Sequence, residues 1–332
     1  MVDPAPWPSR PLRVAAAQAC PAPGDVIVNA TTAAAMVRQA AAQACVRVVV
    51  FPEKFLTGYE PELIRADPVR CAVQAGGDAR LSPLMAACRD TGTVAIVGAA
   101  VHEVGKLYVS AVVIDSDGTW AARYDKQMLF RAERDLYRPG RTGGSVEVDG
   151  WRLGLGICYD SGFPGHARAA ALDGCHAYLV GGLFSVGNGY HESRMWFPAR
   201  AFDNTIYTVL ANHVGTTGGW NTCGSSAIWD PTGRLAAEAG STEQELVVAE
   251  LDPERLRCAR EVHTVLTDFR DPATEPRDTT RCSPLGSQAL TGIRQEFDEH
   301  GSQSGHGDAA PRHHPLLPAQ EPGTHAHPPG VR

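Results

Sequence analysis

A chain of 332 residues, 43% hydrophobic and 20% charged, is long enough to bury a core without disulfide staples or a structural metal. Thirty basic against 37 acidic residues leave a net charge of −7 spread along the chain, which excludes the basic footprint of a nucleic-acid binder and the polybasic stretch of a membrane-surface protein. No run of about 18 apolar residues occurs, so no spanning helix is expected, and Met1-Val2-Asp3-Pro4 lacks the basic-then-apolar pattern of a signal peptide.

In chain order, Leu12–Gln18 reads as a strand, alanine-rich Ala30–Ala44 as a helix and Val46–Phe51 as a second strand. A helical pattern near Leu81–Arg89 leads into a strand over Val94–Val101. Leu107–Asp115 and Thr119–Tyr124, joined by Ser116-Asp117-Gly118, read as a hairpin because Asp-Gly supplies its turn. Further strands are predicted over Leu153–Ile157, Ala177–Gly181, Ile206–Ala211, Ser226–Trp229 and Glu245–Leu251, with a helix over His166–Asp173 and a tight turn at Asp230-Pro231-Thr232-Gly233. Strands separated here by helices and there by tight turns imply an α/β protein with mixed sheets, helices outside and hairpins at the edges. From Gly301 to Arg332, Gly, Pro and His make up half the residues and none is aromatic, which predicts a disordered tail. Its histidines (His306, His313, His314, His325 and His327) lack a scaffold to fix ligand geometry, so no metal site is expected there.

Nine cysteines, an odd number without a Cys-x-x-Cys pair, suit a reducing compartment, and a cytoplasmic protein is expected. One of them, Cys158, follows the apolar strand Leu153–Ile157 and precedes the predicted helix. There a helix N-terminus could favour thiolate and offer N–H groups to an oxyanion, or the thiol could simply be buried filler. Glu53 ends the apolar strand of Val48-Val49-Val50-Phe51-Pro52, where partial burial would raise its pKa toward that of a general base, unless it faces water. Lys126 follows the second hairpin strand and reads either as an oxyanion stabiliser or as surface charge; Glu133 and Arg134 carry little information alone. Taken together, nucleophile, base and cation each follow a strand, where their side chains can converge at one sheet rim.

With these residues in place, the chain resembles the carbon–nitrogen hydrolases of the nitrilase superfamily from about Leu12 to Leu251. The resemblance runs through Val14–Gln18, Gly24-Asp25, Asn29, Val49–Glu53, Gly58-Tyr59, Lys126 with Leu129-Phe130 and Glu133, Gly154–Asp160, Ala199-Arg200-Ala201 with Asp203-Asn204, Asn212, and Ser226 through Gly233. It implies a four-layer αββα sandwich of two mixed sheets flanked by helices, and a homodimer or larger assembly paired through helices near the nucleophile. The corresponding division is an N-terminal extension at 1–11, a hydrolase domain at 12–282 and the tail at 283–332. The resemblance makes Cys158 the nucleophile, Glu53 the general base and acid, and Lys126 the oxyanion stabiliser. Glu133 would position the lysine or the substrate nitrogen, and the Tyr159 backbone N–H would be the second oxyanion donor. No metal or organic cofactor is implied, and the partner is a small amide-type substrate.

Cys158-Tyr159-Asp160 is similar to the amidase and carbamoylase branches, whereas true nitrilases usually carry Cys-Trp-Glu. ω-Amidase-like members commonly place an arginine four positions after the cysteine, where this chain has Gly162; many relatives also have a glutamate at the position of Gly165. The expected activity is hydrolysis of a linear amide or N-carbamoyl amine with release of ammonia. A nitrilase and a catalytically silent scaffold are the alternatives. Gly182–Tyr190 is expected to line the acyl pocket, His191, Glu192 and Arg194 either touch substrate or face water, and the role of His166 is open. The loop Gly215–Trp220 lacks the Gly-Lys-Ser/Thr ending of a phosphate cradle.

Overall fold

The computed structural model describes residues 7–270. The chain falls into two units, Met1–Glu275 and Pro276–Arg332, and the described residues all belong to the first. The tail expected at 283–332, its histidines and the domain end at 282 lie outside the described residues.

The N-terminal part supplies strands β1 (Leu12–Gln18), β2 (Val48–Val50), β3 (Val73–Gln74), β4 (Val94–Glu103), β5 (Lys106–Ile114) and β6 (Trp120–Asp125). There follow β7 (Gly144–Val148), β8 (Trp151–Ile157), β9 (Ala177–Gly182) and β10 (Tyr207–Asn212), a hairpin of β11 (Val214–Thr217) and β12 (Trp220–Cys223), then β13 (Ala227–Trp229), β14 (Leu235–Glu238) and β15 (Glu245–Leu251). The first large sheet has the order β15-β1-β2-β4-β5-β6, with β3 on β4; the second runs β14-β13-β10-β9-β8-β7. Both are mixed: β1, β2 and β4 are parallel, as are β8, β9 and β10, and antiparallel strands close the edges.

Side-chain alternation along each strand builds the layers. Val14 and Ala16, Val48 and Val50, and Val109, Ala111 and Val113 face Leu153, Leu155, Ile157, Leu179, Val209 and Ala211 in one buried cluster between the sheets. The intervening Ala15, Ala17, Val49, Ala95 and Val97 face outward against α1 (Val26–Ala44) and, beyond the short helices α2 (Pro61–Ala66) and α3 (Pro68–Cys71), α4 (Ser82–Thr91). On the other side Tyr178, Val180, Leu210 and Trp229 pack on α5 (Pro164–Leu172) and α6 (Asn188–Asn204). This is the αββα sandwich expected from the sequence. Two terminal helices, α7 (Pro253–Val262) and α8 (Val265–Arg270), complete the described part, and no helix in it is long and apolar enough to cross a membrane.

Helix α1 begins four residues earlier than predicted because the Asp25 side chain caps it, accepting from the Val28 N–H at 3.1 Å. The Gly215–Trp220 loop forms the tip of the β11–β12 hairpin, and its Gly218 N–H donates to Glu60 Oε1 at 2.7 Å.

Candidate active site

Glu53 sits in the loop beyond β2, and two neighbouring strands admit that loop only because they carry glycine. A Cβ on Gly98 of β4 would lie 2.2 Å from the Pro52 carbonyl oxygen, and one on Gly181 of β9 would lie 2.5 Å from that of Phe51. His213 Nε2 lies 2.6 Å from the Glu53 carbonyl and fixes the backbone from a third side.

Lys126 follows β6, its N–H donating to the Val109 carbonyl while Gly140 N–H donates to its own carbonyl. Its fully buried ammonium donates to Glu53 Oε1 at 2.7 Å and Glu133 Oε2 at 2.8 Å, so the surface-charge alternative is overturned. Glu133 belongs to a short 3-10 turn, Arg131–Asp135, and is saturated by four donors. Oε2 also accepts from the Phe130 N–H at 2.9 Å, and Oε1 accepts from Lys54 Nζ at 3.2 Å and the Tyr59 hydroxyl at 2.7 Å.

Cys158 opens the 3-10 turn Cys158–Gly162 in the left-handed region, φ 43°, a strained position for a residue with a side chain. Several buried groups impose it. Asp160 accepts from the Ile157 N–H at 3.0 Å, the Tyr124 hydroxyl at 2.7 Å and the Met128 N–H at 2.8 Å, tying this turn to the loop after Lys126. Arg200, from α6, donates to the carbonyls of Ser161 and Gly162. His166 lies with Nε2 2.8 Å from the Tyr124 hydroxyl and Nδ1 2.8 Å from that of Tyr178, so it braces the turn from behind.

The electrostatics follow from burial. Burial raises the Glu53 carboxyl above its usual range, with Glu133 adding to the effect and Lys126 and Lys54 opposing it. Burial would also raise Glu133, but Lys126 and Lys54 outweigh it and hold Glu133 well below the ordinary carboxylate value. Burial would lower Lys126; the two glutamates reverse this and keep it protonated. For Cys158 burial, reinforced by Glu53, pushes the thiol well up, and Lys126 offsets only part of it, which works against the thiolate that a helix N-terminus could favour.

Above Cys158 opens a cavity of about 570 Å³. Its walls include Tyr59, Phe130, Tyr159, Phe184, Trp196 and Trp220, with Arg131, Arg134 and Glu192 among its polar residues. The expected wall segment contributes Leu183, Phe184, Ser185, Asn188 and Gly189, and of the three polar candidates after it only Glu192 lines the cavity. Arg194 instead packs 5.1 Å from the Tyr190 and Trp229 ring centres and pairs with Glu238. Gly162, where an arginine could have stood, lies under Trp196, whose indole atoms would sit 3.1–3.4 Å from a Cβ there. Sequence reasoning passed over Lys54, Arg131 and Trp196, and gave Arg134 and Trp220 no role at the cavity; a charged residue inside the apolar run Phe51–Leu56 was the one local signal, for Lys54.

Residues 13–261 match the carbon-nitrogen hydrolase family, and the chain belongs to that family. It is a hydrolase of the nitrilase superfamily, acting on carbon–nitrogen bonds other than peptide bonds. It is 32% identical to a protein named nitrilase from Pyrococcus abyssi, over 73% of this chain and 91% of the relative. It is 34% identical to an (R)-stereoselective amidase from Pseudomonas sp, over 67% and 79% of the two chains. The solved amidase from Nesterenkonia sp. AN1 superposes with a TM-score of 0.66 at 28% identity, covering 76% of this chain and 96% of that one. That amidase has been seen in complex with butyramide and, in another structure, with the acetamide moiety of fluoroacetamide covalently added at its active-site cysteine.

Proposed function

We propose that this protein hydrolyses a small linear amide or an N-carbamoyl amine, releasing ammonia by way of a thioester on Cys158. The observation that carries this reading is Glu53: one carboxylate oxygen is bonded to Lys126, and the other, Oε2, is buried with no hydrogen-bond partner among the described residues. Such an oxygen is a proton acceptor within electrostatic reach of the Cys158 thiol, which burial holds protonated. As sulfur attacks the carbonyl carbon, the thiol proton passes to Glu53, and Lys126 with the Tyr159 backbone N–H takes the oxyanion. Glu53 then returns the proton to the departing nitrogen as the C–N bond breaks. In the second half it draws a proton from water, which attacks the thioester carbonyl, and protonates the leaving thiolate. Glu133, saturated by its four donors, orients Lys126 throughout.

The indole of Trp196 over Gly162 supports neutral acyl chains ahead of chains ending in a carboxylate. The butyramide complex of the Nesterenkonia amidase supports the same preference. The Pyrococcus relative named nitrilase keeps the nitrile reading as the alternative.

A panel of butyramide, succinamate, N-carbamoyl amines and aliphatic nitriles, assayed for ammonia beside Cys158→Ala, tests this. Release from butyramide or a carbamoyl amine is expected, exceeding release from succinamate and absent in the variant. Release from nitriles alone makes the protein a nitrilase. Release that persists in Cys158→Ala overturns the nucleophile, and no release with no alkylation of Cys158 by iodoacetamide makes it a silent scaffold. The homodimer is part of the same proposal: Met195 and Phe202 on α6 are exposed apolar side chains that pairing of two copies would cover. Light scattering of the purified protein is expected to give at least twice the chain mass, and a monomer would overturn the pairing.

A further inference from the structure

Lys54 is a second buried ammonium, beside Glu53, that the chemistry above leaves unused. It is 1% exposed and adopts φ 52°, a left-handed conformation that turns it away from the strand direction. A lysine is buried at this cost only with partners, and Lys54 has three. Nζ donates to Glu133 Oε1 at 3.2 Å, lies 3.2 Å from the Tyr59 ring centre and lies 4.9 Å from that of Tyr137. Glu133 is therefore clamped between two ammoniums, Lys54 on one oxygen and Lys126 on the other. Burial lowers the Lys54 ammonium, and Glu133 and Glu53 oppose that shift; with Lys54 charged, the two ammoniums match the two carboxylates in number, and without it the carboxylates outnumber the cations by one.

We propose that Lys54 is a positioning residue that balances Glu133, leaving Lys126 to serve Glu53 and the oxyanion. The inference rests on the reading of Glu53 as general base. The groups surrounding Glu53 are Lys126, Glu133, Cys158, Tyr59, Tyr137 and His213, with Lys54 next to it in sequence. Burial lowers His213 to about 4, so it is neutral and silent near pH 7. Tyr59 and Tyr137 are raised by burial and stay protonated. Lys126 stays charged and Glu133 stays ionised. Of the two ammoniums opposing the burial of Glu53, Lys54 is the one free of a direct bond to it. Loss of its charge makes the Glu53 anion less favourable, so the pH below which the base is lost rises.

The test is the rate at which iodoacetamide alkylates Cys158, followed by peptide mass across pH 4.5–9 in wild type, Lys54→Met, Lys54→Gln, Lys54→Arg and Glu53→Gln. In this reaction the S–C bond forms, iodide leaves and the thiol proton passes to Glu53, so no knowledge of the natural substrate is needed. The acidic limb is expected to move up by about one pH unit in Lys54→Met and Lys54→Gln, with a rate loss of about tenfold at low pH and little loss on the plateau. Lys54→Arg, which keeps the charge, is expected to keep the wild-type limb even where its rate falls. The glutamine variant can still bond to Glu133 and serves if methionine disrupts folding. A limb unmoved in the neutral variants, or moved equally in Lys54→Arg, overturns the inference and leaves Lys54 a packing residue. A limb that survives in Glu53→Gln instead removes the base assignment, and this inference with it.

Discussion

Glu53→Gln is expected to lower ammonia release by about 10⁴-fold, the upper end of what one acid–base group contributes. The size follows from double use, because the same carboxylate takes a proton from the thiol and later from water. Glutamine keeps the shape and an oxygen that can still accept from Lys126, now 2.7 Å from Glu53 Oε1. The fold should therefore persist, with a melting temperature within a few degrees of wild type, while Oε2 is replaced by a donor that cannot take a proton. Steady-state ammonia release and a thermal melt on the same preparation check both halves. A loss of only a few-fold would move the base to another residue.

Lys126→Ala is expected to fail in both activity and stability. It removes an oxyanion donor, a change that alone costs about 10²–10³ in rate, and it also removes the charge that most strongly opposes the burial of Glu53. Glu53 and Glu133 would then share one buried cation, Lys54, which is bonded to Glu133, so Glu53 is the carboxyl that takes up a proton. Breaking a buried pair of this kind costs about 3–5 kcal/mol. The direction with pH is fixed by linkage. Glu53 would bind its proton more tightly folded than unfolded, so the stability it contributes is present at low pH and is lost as pH rises through its raised folded value. Melts of Lys126→Ala are expected to show a higher melting temperature at pH 5.5 than at pH 8. A stable variant, or the opposite dependence, would contradict the ion-pair geometry.

The strands were legible because alternation and β-branching are local: β1, β5 and β15 fall within one residue of their predicted bounds and β8 begins two residues early. Glu53, Lys126 and Cys158 were legible for a related reason, since a polar residue just past an apolar strand is visible in one dimension. Three kinds of feature were not. Helix α6 contains Pro198, which masks its period. The cavity walls at Arg131 with Arg134, at Trp196 and at Trp220 come from three separate elements that only the packed sandwich brings together. The state of the Cys158 thiol depends on how deeply the turn is buried and on the distance to Glu53, neither of which a strand-to-helix pattern encodes. Lys54 was hidden because it lies in the loop beyond β2, turned by a left-handed backbone that no strand pattern encodes.

Strand β1 lies between β2 and β15, with Leu12 opposite Leu251 and Gln18 opposite Glu245. Gln18 adds two bonds of 2.8 Å to the carbonyls of Gly240 and Glu243 and accepts from the Ser226 N–H at 2.9 Å. A nascent chain thus exposes one edge of its first strand until almost the whole sandwich has left the ribosome, and contacts of such long sequence separation form slowly. Glu53, Lys126 and Cys158 are all synthesised well before that seam can close. The enzyme should therefore gain activity only after β15 has been made and paired, with the half-built sheet, whose open edge is a template for pairing, as the species chaperones must shield.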